Sequence, residues 1–237
     1  MTAPGTLYGV GVGPGDPELL TLKAVRIIGS APVIAYPAPD MGDSLARAIA
    51  APHIPAGRTE IAIRTPMVPG KFPNNPVYDH YAAEISAHLT AGRDVAVLCE
   101  GDPFLYGSFM YLFLRLAGDF PVRVVPGVSS LGACAAAAGA PLVSRNQVLT
   151  VLPAPLDEAE LEARLKTCEA AAIMKVGRHL PKVKTVLARL GRLSGAQYVE
   201  RATMEGEKVL PLADAPDTAP YFSMVLVRSP EAVEAGE

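Results

Sequence analysis

The residues whose types and spacing are best suited to chemistry lie between Cys99 and Phe109. This stretch reads Cys-Glu-Gly-Asp-Pro-Phe-Leu-Tyr-Gly-Ser-Phe, with two carboxylates, a phenol and several turn residues. The short apolar run before it, over 94–98, predicts a buried strand, and the apolar run over 110–116 predicts a buried helix. Ligands of open α/β sheets bind beyond the carboxyl ends of strands. The stretch is therefore predicted to form the centre of an active site, in which Cys99, as the strand's last residue, is buried and inert.

Two other turns have a similar composition. A first strand is predicted over 6–13, in which Gly9, Gly11 and Gly13 alternate and lead to Gly15. Pro14 stands where a dinucleotide-binding fingerprint has its third glycine. The next residues, Asp16 and Pro17, predict a helix start. These glycines either pack a tight turn or admit a ligand to the backbone, and their number favours the ligand. Pro126-Gly-Val-Ser-Ser130 forms a third turn and leads into an alanine-rich helix.

The sequence lacks the usual motifs of enzymes that catalyse hydrolysis or phosphoryl transfer. It has no phosphate-binding loop, no G-x-S-x-G elbow and no cysteine–histidine pair that spacing can support. The four histidines have no metal-ligand spacing and are interpreted as solvated surface residues. Turns of glycine, proline and serine suit an enzyme whose chemistry resides in a reactive cofactor.

Composition restricts the class of protein and its surroundings. The 237 residues are 50% hydrophobic and have a net charge of −3. A net negative charge does not indicate the basic surface of a nucleic-acid-binding protein. Three widely separated cysteines favour reduced thiols. The N-terminus lacks the regions of a signal peptide, and no run reaches the roughly 18 apolar residues of a membrane span. We expect a cytoplasmic protein that binds neither nucleic acid nor a membrane.

The elements alternate between strand and helix in the first half, which predicts a parallel sheet. Residues 58–77 carry four prolines and mixed charge and are predicted to form a long functional loop. Residues 117–121 are the predicted boundary between two α/β domains, 1–118 and 119–237. Several late strands without intervening helices predict a mixed sheet in the second domain.

Taken together, the three turns resemble the ordered signatures of the tetrapyrrole (corrin/porphyrin) methylases. The resemblance is carried by residues 9–24, Glu100-Gly-Asp-Pro103 and Val125-Pro-Gly-Val-Ser-Ser130, and it extends over nearly the whole chain. Residues 94–114, 198–207 and 221–227 are most similar to the subgroup that methylates C(20) of precorrin-2 in cobalamin synthesis. A neighbouring subgroup acts on cobalt-factor II, and the sequence does not separate the metal-free from the cobalt-containing substrate.

The resemblance implies two αβα domains of the class III S-adenosylmethionine methyltransferase type, with the active site in the cleft between them. It implies a homodimer, S-adenosylmethionine as methyl donor and no metal bound by the protein. The first domain would form the tetrapyrrole side of the cleft and the second the cofactor side. The positions that match the family's cofactor contacts are Pro14, Gly101, Asp102, Pro103, Ser129, Ser130, Met174, Met204 and Ser223.

Two positions depart from the commonest family pattern, and both departures fit the C(20) subgroup. Glu100 replaces a second glycine, and Phe222-Ser-Met224 replaces Pro-Ala-Leu.

A substrate with many carboxylates requires cations, and Arg64, Lys71 and Arg145 are the candidates because they are predicted to lie on loops. Solvated surface charge is an equally good interpretation of each. No catalytic residue is assigned. Asp102 could assist proton removal or position the turn, and Tyr106 could contact the macrocycle or fill the core.

Three alternatives remain at this stage. One is a member of the same family that methylates RNA or a protein side chain, which the acidic net charge disfavours. The second is a nicotinamide-dependent oxidoreductase, which lacks the third fingerprint glycine. The third is a non-catalytic binding module that would use residues 58–77 as its surface.

Overall fold

The computed structural model describes residues 3–65 and 75–228 and divides the chain into two compact units. The first unit ends at Ser129 and the second begins at Ser130.

Within residues 3–65 and 75–228, the first unit has five strands and four α-helices, and the second has five strands and three α-helices. The strands are β1 Leu7–Gly11, β2 Val33–Ala38, β3 Thr59–Arg64, β4 Val95–Cys99, β5 Val122–Val125, β6 Leu149–Pro153, β7 Ala170–Met174, β8 Ala196–Glu200, β9 Lys208–Pro211 and β10 Ser223–Val227. The helices are α1 Leu22–Ser30, α2 Leu45–Ala50, α3 Asn75–Thr90, α4 Phe109–Leu116, α5 Ser130–Ala137, α6 Glu158–Thr167 and α7 Leu180–Arg189.

The sheet of the first unit is parallel throughout, in the order β3-β2-β4-β1-β5, as the alternating pattern predicts. All five residues of β4 are buried because helices cover both faces. Val95, Val97 and Cys99 contribute to the core shared with α3 and α4, whereas Ala96 and Leu98 contribute to the core shared with α1 and α2. Successive side chains of a strand point to opposite faces of the sheet. Because helices cover both faces here, the sequence of the strand is continuously apolar.

The helix predicted after Asp16 is divided in two. The Asp16 carboxylate accepts a hydrogen bond from the Glu18 amide (2.8 Å), but it caps only a short 3-10 turn over Pro17–Leu19. Helix α1 itself starts at Leu22, where the Thr21 hydroxyl accepts from the Ala24 amide (3.1 Å).

The predicted loop over 58–77 is wrong at both ends. Thr59–Arg64 forms the edge strand β3, which pairs with β2 and buries Ile61 and Ile63. Helix α3 begins at Asn75. The rest of the predicted loop, including Lys71, lies outside the described residues.

The predicted domain boundary at 118/119 lies before β5. The structure places β5 in the first sheet because residues 122–125 pair in parallel with β1. The first unit therefore extends to Ser129.

The second sheet has the order β6-β7-β10-β8-β9 and is mixed. Strands β6 and β7 are parallel, and the remaining neighbours are antiparallel. One face packs against α6 and α7 through residues such as Ile173 and Val225, and the other packs against α5 through Ala133 and Cys134. Ala133 and Ala137 of α5 thus pack closely on the sheet within this unit.

None of the described helices is both long and apolar enough to cross a membrane. No three or more His, Cys, Asp or Glu side chains in 3–65 and 75–228 are grouped so that they could hold a metal ion.

Candidate functional site

The first unit has its topological switch point at the carboxyl ends of β1 and β4. These strands are neighbours, but the chain leaves β1 toward α1 on one face and leaves β4 toward α4 on the other. Loops that diverge in this way leave a crevice at the edge of the sheet, where ligands of open α/β sheets bind. The two turns singled out in the sequence, after β1 and after β4, lie at this switch point.

Backbone hydrogen bonds hold these two turns together. The Gly13 amide donates to the Gly101 carbonyl (3.3 Å), and the Gly101 amide donates to the Gly13 carbonyl (2.7 Å). Both glycines have positive φ (80° and 63°), which a side chain would strain. Pro14 is buried directly beside this pair, as is Pro103 two residues after Gly101.

The turn after β5 joins the same place through an unusually close backbone approach. A Cβ atom on Gly127 would lie 2.0 Å from the Gly101 carbonyl oxygen and 2.8 Å from the Gly11 Cα. A Cβ atom on Gly11 would lie 2.5 Å from the Gly127 nitrogen. The ends of three adjacent strands therefore touch without side chains between them.

Asp102 connects two of these turns with both oxygens of its carboxylate. Its Oδ1 accepts from the Phe104 amide (2.9 Å), and its Oδ2 accepts from the Gly127 amide (3.1 Å). The first bond closes the turn after β4, and the second fixes the turn after β5 to it. This arrangement positions backbone at the crevice.

Cys99 is the last residue of β4, and Glu100 directly follows it. Burial raises the pKa of the Glu100 carboxyl, and the backbone amides of Glu100 and Ala46 oppose that effect. Cys99 is buried, and burial raises the pKa of its thiol well above its usual range. The thiolate is the reactive form of cysteine. The prediction that Cys99 is buried and inert agrees with both observations.

Tyr106 lies beyond the turn, in a segment that is open to solvent. Its backbone is left-handed (φ 57°) and its side chain is 45% exposed, so it does not fill the core of the first unit. Phe104 beside it is 52% exposed and packs edge-to-face on Phe113 (5.2 Å between centroids).

The two described cations predicted to bind substrate belong to different units, Arg64 to the first and Arg145 to the second. Arg64 ends the edge strand β3, and its guanidinium donates to the carbonyls of Pro39 (2.7 Å) and Asp40 (3.2 Å). It therefore holds the loop after β2. Arg145 belongs to the second unit, in an exposed turn before β6 with a left-handed backbone (φ 47°).

The remaining predicted cofactor residues lie at the junction of the units or in the second unit. Ser129 ends the first unit and Ser130 begins α5. In the second sheet, Met174 ends β7 and Ser223 begins the antiparallel neighbour β10, so both are at one edge. Met204 lies in the turn after β8 and donates its amide to the Arg201 carbonyl (2.9 Å). The Ser223 hydroxyl donates to the Pro220 carbonyl (2.7 Å).

Sequence reasoning missed the roles of Gly11 and Gly127 as a contacting pair. Both glycines are visible in the predicted turns, but only the order of the strands brings them together. It also passed over Glu100 as a partly buried ionisable group, although a carboxylate directly after a five-residue apolar strand is a signal that could have indicated it.

Comparisons with known proteins identify the family of the chain. The family model described as Tetrapyrrole (Corrin/Porphyrin) Methylases matches residues 6–216. A Sinorhizobium protein named precorrin-2 C(20)-methyltransferase is 48% identical over 94% of this chain and 95% of its own length. A Salmonella typhimurium protein named cobalt-precorrin-2 C(20)-methyltransferase is 33% identical over 94% of this chain and 96% of its own.

A solved structure of uroporphyrin-III C-methyl transferase from Thermus thermophilus, complexed with S-adenyl homocysteine, covers 98% of this chain and all of its own. Its TM-score is 0.67 at 26% identity. The family match spans both units and includes all three turns that meet at the crevice. The chain therefore belongs to the tetrapyrrole (corrin/porphyrin) methylase family.

Proposed function

We propose that this protein transfers a methyl group from S-adenosylmethionine to C(20) of precorrin-2, giving precorrin-3A in cobalamin synthesis. The observation that carries the proposal is the 48% identity, over nearly the full length of both chains, to a protein named for that reaction. The Thermus thermophilus structure, complexed with S-adenyl homocysteine, supports the choice of methyl donor.

The residues at the crevice fit the methyl donor. Gly127 has no side chain, so its backbone packs directly on Gly101 and Gly11, and the Asp102 carboxylate joins the two turns through the Phe104 and Gly127 amides, which positions the backbone of the proposed site. The rings of Pro14 and Pro103 are buried beside them and form apolar walls. Ser129 and Ser130 add hydroxyl groups suited to polar parts of a nucleoside. We propose that these residues hold the donor, together with Met174, Met204 and Ser223 of the second unit.

The bound donor supplies an electrophilic sulfonium methyl group. The protein's part is to hold the reacting carbon in line with that methyl group, to exclude water and to let one proton leave. Proximity of this kind contributes roughly 7–11 kcal/mol to lowering a barrier and needs no strong base. Both oxygens of Asp102 already accept backbone hydrogen bonds, which supports a positioning role for it rather than proton removal. Tyr106, exposed beside the crevice, is the proposed contact to the macrocycle edge.

A second candidate is methylation of the cobalt-containing substrate. A protein named for that reaction also matches nearly the whole chain, but at 33% identity against 48%. The metal-free substrate is therefore the first choice.

The proposed reaction is tested by incubating the protein with labelled S-adenosylmethionine and either precorrin-2 or cobalt-factor II. We expect one methyl group to appear on precorrin-2 by mass spectrometry, with micromolar binding of S-adenosylhomocysteine and no binding of NAD by calorimetry. Turnover of cobalt-factor II alone would establish the second candidate instead. Binding of NAD without S-adenosylhomocysteine would refute both.

We also propose a cytoplasmic homodimer. All three cysteines are free, as in reducing compartments.

Five exposed large hydrophobic side chains, half of those in the described residues, lie within 104–114 on the first unit. Apolar patches of this kind mark interaction sites. A second copy of the chain is the proposed occupant, as the resemblance implies.

Leu114→Lys is expected to convert the dimer to monomer, because Leu114 is 72% exposed at the centre of α4's outer face and a charge there opposes burial. Sedimentation velocity measures the change. Leu22→Lys is the matched control, since Leu22 is 90% exposed on α1, away from that segment, and should leave the dimer intact. An unchanged dimer in the Leu114 variant would contradict this interface.

A further inference from the structure

Strand β8 ends on a buried carboxylate that methyl transfer as proposed above does not use. Glu200 is the last residue of β8 and is 8% exposed. Its Oε2 accepts a hydrogen bond from the Tyr198 hydroxyl (2.8 Å), and its Oε1 accepts from Lys208 Nζ (3.4 Å). Burial of a carboxylate is costly unless such partners are present. The end of the strand is therefore fixed by a small polar network.

Strand pairing puts this network beside the start of β10. Ser223, the first residue of β10, is the register partner of Glu200, and Glu200 is in turn the register partner of Lys208 on β9. Register partners of antiparallel strands have their side chains on one face of the sheet, and residues two apart on a strand share a face. Tyr198 contributes to the core with α6 and α7, so the whole network lies on that face.

Tyr198 joins the buried carboxylate to Ser223. Its side chain is fully buried, and burial raises the pKa of its hydroxyl, as does its hydrogen bond to Glu200. Hydrogen bonding with Ser223 opposes this shift, so one phenol contacts both residues. The Tyr198 hydroxyl stays protonated and remains the donor to Glu200.

The side chain of Ser223 is already occupied within the chain. Ser223 is 9% exposed, and its hydroxyl donates to the Pro220 carbonyl (2.7 Å). The residue before it is held as well, because the Phe222 carbonyl accepts from the Arg201 amide (2.8 Å). A ligand that reaches Ser223 therefore meets its main chain rather than its hydroxyl. The position of that main chain decides whether the contact forms.

We propose that Tyr198 and Glu200 are positioning residues that act through Ser223 on binding of the methyl donor. The inference rests on the proposed function, in which Ser223 is one of the residues that hold the donor. Tyr198 has no exposed surface, so its effect on a ligand is indirect. A contact that is already fixed in the free protein costs less ordering on binding, which raises the affinity.

The test compares Tyr198→Phe, Ser223→Ala and the double variant, with affinity for S-adenosylhomocysteine measured by calorimetry. Phenylalanine keeps the buried ring and removes only the hydroxyl. We expect each single variant to bind S-adenosylhomocysteine about five- to tenfold more weakly. Because Tyr198 acts through Ser223, the double variant should bind no more weakly than the weaker single variant. Wild-type affinity in Tyr198→Phe, or losses that multiply in the double variant, would overturn the positioning role.

Glu200 is tested by comparing Glu200→Ala with Glu200→Gln. The amide oxygen of glutamine still accepts from the Tyr198 hydroxyl, so this variant should keep most of the affinity for S-adenosylhomocysteine. Glu200→Ala removes the acceptor and should lose about five- to tenfold. Equal affinities in the two variants would show that the hydrogen bond from Tyr198 to Glu200 does not position the site.

Arg192→Gln is the matched control, because Arg192 forms a comparable polar network in the same unit. Its guanidinium donates to the carbonyls of Leu165 and Cys168 (2.9 Å each). Cys168 lies shortly before β7, and β7 is parallel to β8 since both are antiparallel to β10. This network is therefore at the sheet edge opposite to Glu200. The control should lose stability in urea and keep its affinity for S-adenosylhomocysteine.

The two levels of the proposal fail in different ways. A loss of affinity in Arg192→Gln equal to that in Tyr198→Phe would assign both effects to general stability and would overturn the positioning role. A wild-type protein that does not bind S-adenosylhomocysteine, or that binds it without methylating precorrin-2, would refute the proposed function. In the second case the affinities of the variants still decide whether Tyr198 and Glu200 position the donor site.

Discussion

Gly127→Ala is expected to destabilise the protein by about 3 kcal/mol and to abolish methyl transfer. The added methyl would lie 2.0 Å from the Gly101 carbonyl oxygen and within 2.9 Å of two Gly11 backbone atoms. Neither neighbour is a flexible side chain that can turn away. The turns after β1, β4 and β5 must separate to admit the methyl, and that movement breaks the geometry on which the proposed cofactor site depends.

Urea unfolding measures the stability of this variant, and calorimetry measures its affinity for S-adenosylhomocysteine. Gly29→Ala is the matched control because Gly29 lies in α1 of the same unit, where an added Cβ meets nothing within 4 Å. Alanine there is expected to stabilise the helix by roughly 0.5–1 kcal/mol. Wild-type stability and affinity in the Gly127 variant would show that the three turns are not held in the close contact described here.

The local part of this site could be predicted from sequence, and the long-range part could not. Gly101, Asp102 and Pro103 form a turn whose chemistry is encoded by neighbouring residues, so composition alone indicates it. The approach of Gly127 to Gly11 depends on β5 pairing with β1, more than 100 residues away along the chain. No local pattern specifies which strands become neighbours.

The errors in the fold have similar physical causes. Strand β3 has one neighbouring strand and one exposed side, so its alternation of apolar and polar residues is short. The four prolines that follow it in the sequence favour a loop more strongly than this alternation favours a strand. Arg64 was expected on a loop, but it ends strand β3. Its guanidinium donates to two carbonyl groups of the chain, an interaction that becomes visible only when β2 and β3 are side by side, and its binding of substrate stays a prediction.

Asp102→Ala is expected to have the second large effect, after Gly127→Ala. It should weaken binding of S-adenosylhomocysteine by about 10- to 100-fold. Its carboxylate joins the turn after β4 to the turn after β5 through the amides of Phe104 and Gly127. A partly buried amide that loses its acceptor costs about 1–3 kcal/mol. If the turns separate in the free protein, binding has to bring them together again, and this free energy corresponds to a loss of affinity of about 10- to 100-fold. Calorimetry gives the affinity, and urea unfolding gives the accompanying loss of stability.

Asp94→Ala distinguishes a specific role from a general loss of stability. The Asp94 carboxylate accepts from the Thr6 amide (2.7 Å), so it also joins two parts of the first unit, but at the amino ends of β1 and β4. Its removal should cost comparable stability and leave the affinity unchanged. Because the two aspartates bridge opposite edges of one sheet, equal losses of affinity in both variants would mean that Asp102 acts only on the fold. Unchanged affinity in the Asp102 variant would remove that residue from the proposed cofactor site.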